Sequence, residues 1–99
     1  MKLEYTPQAI NDLKRLHDFV AGKHPLAARR IALEIREAAE KLRTFPLIGL
    51  PVARAQGSEG IRDLYSGQYT LRYRLDRQVS SDVIQILRIW HGREHKPGL

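Results

Sequence analysis

The densest run of chemically versatile side chains is Trp90-His91-Gly92-Arg93-Glu94-His95-Lys96. An imidazole titrates near neutral pH, so His91 has what a general acid or base requires. With Arg93 beside it, a metal-free cleavage of RNA can be drawn. One group takes the proton of a ribose 2′-hydroxyl, a second protonates the leaving oxygen, and an arginine stabilises the phosphorane charge. The spacing does not demand that chemistry; the same run reads as a strand end followed by a solvated tail. A metal site has less support. His91 and His95 are four residues apart but on no evident helix, no glutamate completes an HExxH pattern, and the chain has no cysteine. P-loop, GxGxxG and GxSxG patterns are absent, so neither metal nor cofactor is expected.

Arginine is the other chemical resource. The 99 residues hold 17 Lys and Arg, of which 12 are Arg, against 11 Asp and Glu, for a net charge of +6 and a pI near 10.1. Arginine makes planar, bidentate contacts to carboxylate, phosphate or base edges where lysine offers a point charge. An excess of this kind predicts a polyanionic or acidic partner. A GC-rich genome would give the same bias everywhere, so placement has to decide. Residues 1–59 hold 10 cations and 7 anions, and residues 60–99 hold 7 and 4. The excess is therefore modestly concentrated in the shorter C-terminal part.

Positioning these groups falls to a single domain, 1–99, since 11.4 kDa at 42% hydrophobic residues supports one core. No apolar run approaches the roughly 18 residues of a membrane span, and MKLEYTPQAI lacks a signal-peptide core, so a cytoplasmic protein without membrane contact is expected. Met1–Tyr5 alternates as a short strand. Thr6-Pro7 supplies an N-cap and a first-turn proline for a helix whose apolar positions are Ala9, Ile10, Leu13, Leu16, Phe19 and Val20, ending at Gly22. Asp12, Lys14, Arg15 and Asp18 fall on its other side. Pro25 starts a second helix with a buried stripe from Leu26 through Ala28, Ile35, Ala39 and Leu42 to Phe45. So short a connection makes the two an antiparallel hairpin.

A long loop from about Pro46 to Glu59 follows, with Leu47, Ile48 and Leu50 expected to pin it to the core. Ile61–Tyr65, Tyr69–Asp76 and Val83–Trp90 read as strands, the first two joined at Ser66-Gly67. The order β-α-α-β-β-β gives an α+β sandwich, with the helical hairpin packed on one face of an antiparallel sheet. The opposite sheet face is left without a helix. It carries Arg72 and Arg74, joined by Arg88 or Leu87 according to register, and is the expected working surface. Tyr69 and Tyr73 fall on the helix-packed face and read as core.

The motifs F-P-L-I-G-L-P (Phe45–Pro51), G-I-R-D-L (Gly60–Leu64), Y-T-L-R-Y-R (Tyr69–Arg74) and I-Q-I-L-R-I-W-H-G-R-E (Ile84–Glu94) follow a strand and a helical hairpin. In that order the pattern, which spans essentially the whole chain, resembles the RelE/ParE superfamily of bacterial type II toxins. The resemblance implies a toxin that halts growth until a small antitoxin encoded beside it neutralises it. In that family the antitoxin wraps the toxin with its C-terminal part and represses the operon through its DNA-binding N-terminal part. Two mechanisms live on the fold: RelE-like cleavage of mRNA on the ribosome, and ParE-like inhibition of DNA gyrase.

Matching residue by residue favours the second. Arg93 falls where RelE-like nucleases carry their C-terminal arginine. Their paired lysines, however, fall near Ile61 and Asp63, and a further arginine falls at Thr70. An acid near a scissile phosphate repels it, and threonine does not restore the charge. The ending L-R-I-W-H-G-R-E is similar to the ParE form. The resemblance therefore implies a gyrase-binding toxin with no cofactor, whose target and antitoxin contacts use Arg62, Arg72, Arg74, Arg88, His91 and Arg93. The alternative is a metal-free mRNA endoribonuclease acting on the ribosome, with His91 and Arg93 at its centre and Arg72 or Arg74 on phosphate. A third class is a toxin fold that retains only its antitoxin complex.

Overall fold

A computed structural model describes residues 2–52, 60–76, 83–92 and 94. Strand β1 (Lys2–Tyr5) leads into helices α1 (Pro7–Ala21) and α2 (Pro25–Thr44). Then come β2 (Leu50–Pro51), β3 (Ile61–Ser66), β4 (Tyr69–Asp76) and β5 (Val83–His91). The sheet order is β1-β5-β4-β3-β2. Among the described residues only β1 and β5 run parallel, as the intervening helical hairpin allows, while β5-β4-β3-β2 is an antiparallel meander. This is the expected α+β sandwich. The additional β2 lies inside what reads from sequence as a loop, because two prolines and a glycine mask a two-residue pairing.

Local chemistry fixes the element ends. The Thr6 hydroxyl accepts the Ala9 N–H at 3.1 Å, and Pro7 follows where no intrahelical N–H partner exists. Gly22 ends α1 in the right-handed region, so it acts as a plain helix terminus and not through a left-handed cap. Gly67, at φ 58°, makes the tight β3–β4 turn.

The core lies between the hairpin and one sheet face. Ile35, Ala39 and Leu42 of α2 meet Leu71, Ile84 and Ile86, all fully buried. Each such aliphatic side chain contributes about 1.5–3 kcal/mol by leaving water. The apolar stripes are narrower than the periodicity predicts. Ile10, Phe19, Leu26 and Phe45 are exposed.

The long loop is also held differently from the expectation. Leu47, Ile48 and Leu50 are exposed, and polar contacts do the fastening. The Tyr73 hydroxyl donates to Pro46 O at 2.8 Å and accepts the Gly49 N–H at 2.9 Å. Arg62 donates to Leu47 O and Gly49 O. Gly49 has no room for a side chain: a Cβ there would meet the Tyr73 hydroxyl at 2.6 Å and Asp63 O at 3.0 Å. Tyr73→Phe leaves two backbone groups without their partner, and a loss of about 1–3 kcal/mol is expected in chemical denaturation. An unchanged midpoint would mean that water replaces the hydroxyl.

One irregularity decides what each side of β5 displays. Arg72 lies opposite Arg88, but its neighbour Tyr73 lies opposite Ile86, so Leu87 is an extra residue in β5. Arg88 is thereby the partner of Arg72 across the sheet.

Candidate functional site

The strand arginines are shaped by what they touch. Arg72 is 4% exposed, on the sheet face that no helix covers. Its Nε donates to Asp63 Oδ1 at 2.8 Å and its Nη2 to Asp63 Oδ2 at 3.1 Å, a bidentate pair set by the direct register of the two residues. Its guanidinium also lies 5.2 Å from the centre of the Trp90 ring. Asp63, Thr70 and Trp90 are buried with it. The face expected to be an open arginine surface is therefore closed at Arg72, because an acid on the neighbouring strand and an indole on the other engage the cation internally.

Arg74 remains half-buried, between Ile61 and Gln85. Arg62 is half-buried and is used on the loop carbonyls. Arg93, His95 and Lys96 lie outside the described residues.

Arg88 turns around the β5 edge to α1. Its Nε donates to Asp12 Oδ2 at 2.8 Å and its Nη2 to Asp12 Oδ1 at 3.1 Å. Asp12 also accepts the Ile89 N–H at 2.8 Å and a bond from Arg15 at 3.3 Å. Burial pushes the Asp12 carboxyl up, but the bonds from Arg88, Ile89 and Arg15 outweigh it and hold the group below the usual carboxylate range. Arg88 is correspondingly raised, chiefly through its bond to Asp12.

These contacts share a purpose. Strand β1 pairs β5 only as far as Ile86, and beyond it the outer edge of β5 is met by side chains. Thr6 Oγ1 donates to Leu87 O, Asp12 takes the Ile89 N–H, Arg15 donates to Ile89 O, and Glu94 takes the His91 N–H. Arg15 also pairs with Glu94. Sequence reasoning places Asp12 and Arg15 on the wet side of α1 and misses this role for both. The signal lay in spacing, for Asp12 sits three residues after Ala9 and four before Leu16, inside the buried stripe.

His91 is on the other side of the sheet from Arg72. It lies opposite Tyr69, edge-on to that ring with centroids 5.3 Å apart, whereas Trp90 faces Arg72. Its Nε2 is 2.7 Å from Gln68 Oε1. An amide oxygen only accepts, so Nε2 carries the hydrogen in this contact. His91, Tyr69, Arg15 and Glu94 join Leu16, Phe19 and Val20 around a cavity of about 530 Å³ between α1 and the sheet end. Burial is the leading cause of a raised Tyr69 pKa there, with Glu34 and Glu94 adding to it. The structure thus separates the predicted set: Arg72 and Arg74 on one side, Arg88 at the edge, His91 beneath α1, and Arg62 under the loop.

The comparisons agree with this architecture. A family model described as the ParE toxin of the type II toxin-antitoxin system parDE matches residues 3–96. Toxin RelE2 of Caulobacter vibrioides is 31% identical over 89 residues, covering 89% of this chain and 91% of that one. The chromosomal ParDE toxin-antitoxin system from P. aeruginosa has a chain that superposes with a TM-score of 0.73 at 26% identity, over 92% of this chain and 95% of that one. A chain of the RelBE2 toxin-antitoxin complex from Mycobacterium tuberculosis gives 0.69 at 28% identity, over 91% and 95%.

Proposed function

Because this chain belongs to the ParE/RelE family of type II toxins, we propose that it arrests growth by binding DNA gyrase in the cytoplasm, without catalysing a reaction, and that a small acidic antitoxin neutralises it. The antitoxin is supported by the solved neighbours, which are toxin-antitoxin systems. The observation that carries the gyrase reading is the division of the candidate nuclease groups. His91 faces α1 beside Tyr69, while Arg72 faces Trp90 on the opposite side and is held by Asp63. A base and a phosphate-holding cation on opposite faces of one sheet do not close on the same phosphodiester.

The second reading is a ribosome-dependent mRNA endoribonuclease centred on His91 and Arg93. It is favoured by the name of the 31% identical relative, Toxin RelE2, and by the half-open cavity around His91. Induction in cells, with gyrase supercoiling and the integrity of translated mRNA both measured, separates the two. The expected result is lost supercoiling with intact mRNA. Codon-positioned cuts with gyrase unaffected would overturn it, and harmless expression without antitoxin would overturn both readings. His91→Ala sharpens the comparison. Removing a general acid or base costs about 10²–10⁴-fold in rate, so toxicity that persists in this variant excludes the nuclease built on His91.

A further inference from the structure

The end of β5 is gripped from two sides. Glu94 donates its backbone N–H to His91 O at 2.9 Å, and its carboxylate Oε1 takes the His91 N–H in return at 2.7 Å. On the other side Gln68, in the β3–β4 turn, accepts the Gly92 N–H on its backbone oxygen at 2.7 Å and meets His91 Nε2 with its amide oxygen at 2.7 Å. The second oxygen of the Glu94 carboxylate pairs with Arg15 of α1, 79 residues earlier in the chain.

Arg15 is aimed before it meets Glu94. Its Nη2 is shared between Asp12 Oδ1 and Ile89 O, each at 3.3 Å, and its Nη1 goes to Glu94. A guanidinium is planar, so fixing one nitrogen on the helix and the strand sets the direction of the other. As a contributor to folding the Arg15–Glu94 pair is minor. The two side chains are 44% and 33% exposed, and ion pairs so open to water add little. The effect of the pair is geometric: it fixes where the chain goes after β5, and the residue immediately before Glu94 is Arg93.

We propose that Arg15 and Glu94 are positioning residues for the toxin's contact with its target, tying the end of β5 to α1 so that the segment from His91 through Arg93 leaves the sheet in one direction. The proposal rests on the reading that this segment touches the target, and it holds for gyrase and for mRNA on the ribosome alike. A segment ordered in advance loses less freedom on binding, so the pair raises potency while touching no atom of the target.

The test is growth arrest by the induced full-length chain, with potency taken as the cellular toxin level that halves the growth rate. Arg15→Met, which keeps the aliphatic stem, and Glu94→Ala should each require roughly tenfold more protein. Glu94→Gln, whose amide oxygen still accepts the His91 N–H, should recover part of that loss. The double variant Arg15→Met with Glu94→Ala should be no weaker than the weaker single one, since both act through one contact. Melting midpoints should stay within about 4 °C of the parent. The backbone amide signal of His91 should move in Arg15→Met as well as in Glu94→Ala. The proposal is overturned by parent-like potency in both single variants, by an unmoved His91 amide in Arg15→Met, or by losses that multiply in the double variant. It is equally overturned if Glu94→Gln is as weak as Glu94→Ala, or if potency only follows the melting midpoint. Arg93→Ala tests the underlying reading separately. If that variant arrests growth as the parent does, the segment does not touch the target, and the proposal falls with the reading.

Discussion

Replacing Asp63 by Ala should be the most damaging single change in the sheet, lowering folding stability by about 3–5 kcal/mol. Two charges sit where a domain normally keeps none, with Asp63 2% and Arg72 4% exposed. Each is favoured there by the other opposite it, in bidentate geometry, with the guanidinium over Trp90. Removing the carboxylate takes from Arg72 its bidentate acceptor in a low-dielectric setting. At about 4–8 °C per kcal/mol for a domain of this size, the melting midpoint should fall by more than about 10 °C. The double variant Asp63→Leu with Arg72→Met removes both charges, keeps the volume, and should recover most of the loss. Thermal melts of the three chains decide it. A shift below about 1 kcal/mol in Asp63→Ala would mean that solvent reaches the pair.

The second large effect belongs to Asp12. Asp12→Ala deletes the acceptor for Arg88, Arg15 and the Ile89 N–H together. Arg88, with 38% of its side chain exposed, can turn to water, so the penalty is smaller than for a sealed pair. The Ile89 N–H is buried and cannot. A loss of about 2–4 kcal/mol is expected in urea unfolding. The pH dependence has a definite sign. The folded Asp12 carboxyl titrates below its ordinary value, so the unfolded chain takes up its proton first as pH falls. Asp12 therefore contributes in full above the ordinary carboxylate range, near 3.9. That contribution is lost as pH drops through the lowered folded value. Stability profiles of the parent and Asp12→Asn should converge on acidification; parallel profiles across that range would sink the assignment.

Both predictions concern acids whose importance the sequence hides. The elements themselves were legible, since Thr6-Pro7, Gly22-x-x-Pro25 and the alternation of Tyr69–Asp76 each carry a local signal. The family resemblance was legible too, because its motifs lie in order along the chain. What could not be read was pairing. Whether Arg72 meets solvent or Asp63 depends on the alignment of β3 with β4. Whether Arg88 or Leu87 lies opposite Arg72 depends on one extra residue. Periodicity names a face but not the partner that neutralises a charge on it. Exposure of Phe19, Leu26 and Phe45 was likewise invisible, since a helix wheel shows the width of a stripe but not the width of the sheet beneath it.

The extra residue in β5 has a consequence for how this strand tolerates length changes. Side chains along a strand alternate in parity, yet Ile86 and Ile89, an odd number apart, both enter the core. Leu87 supplies the half-step that makes this work. Deleting it would restore a plain ladder and keep every later residue on its face, because Ile86 and Ile89 would then stand two positions apart. Ile89 would still lie opposite Leu71, Trp90 opposite Thr70, and His91 opposite Tyr69. A single missing codon at the bulge would therefore shorten the strand while leaving both faces of the sheet's last three residues as they are.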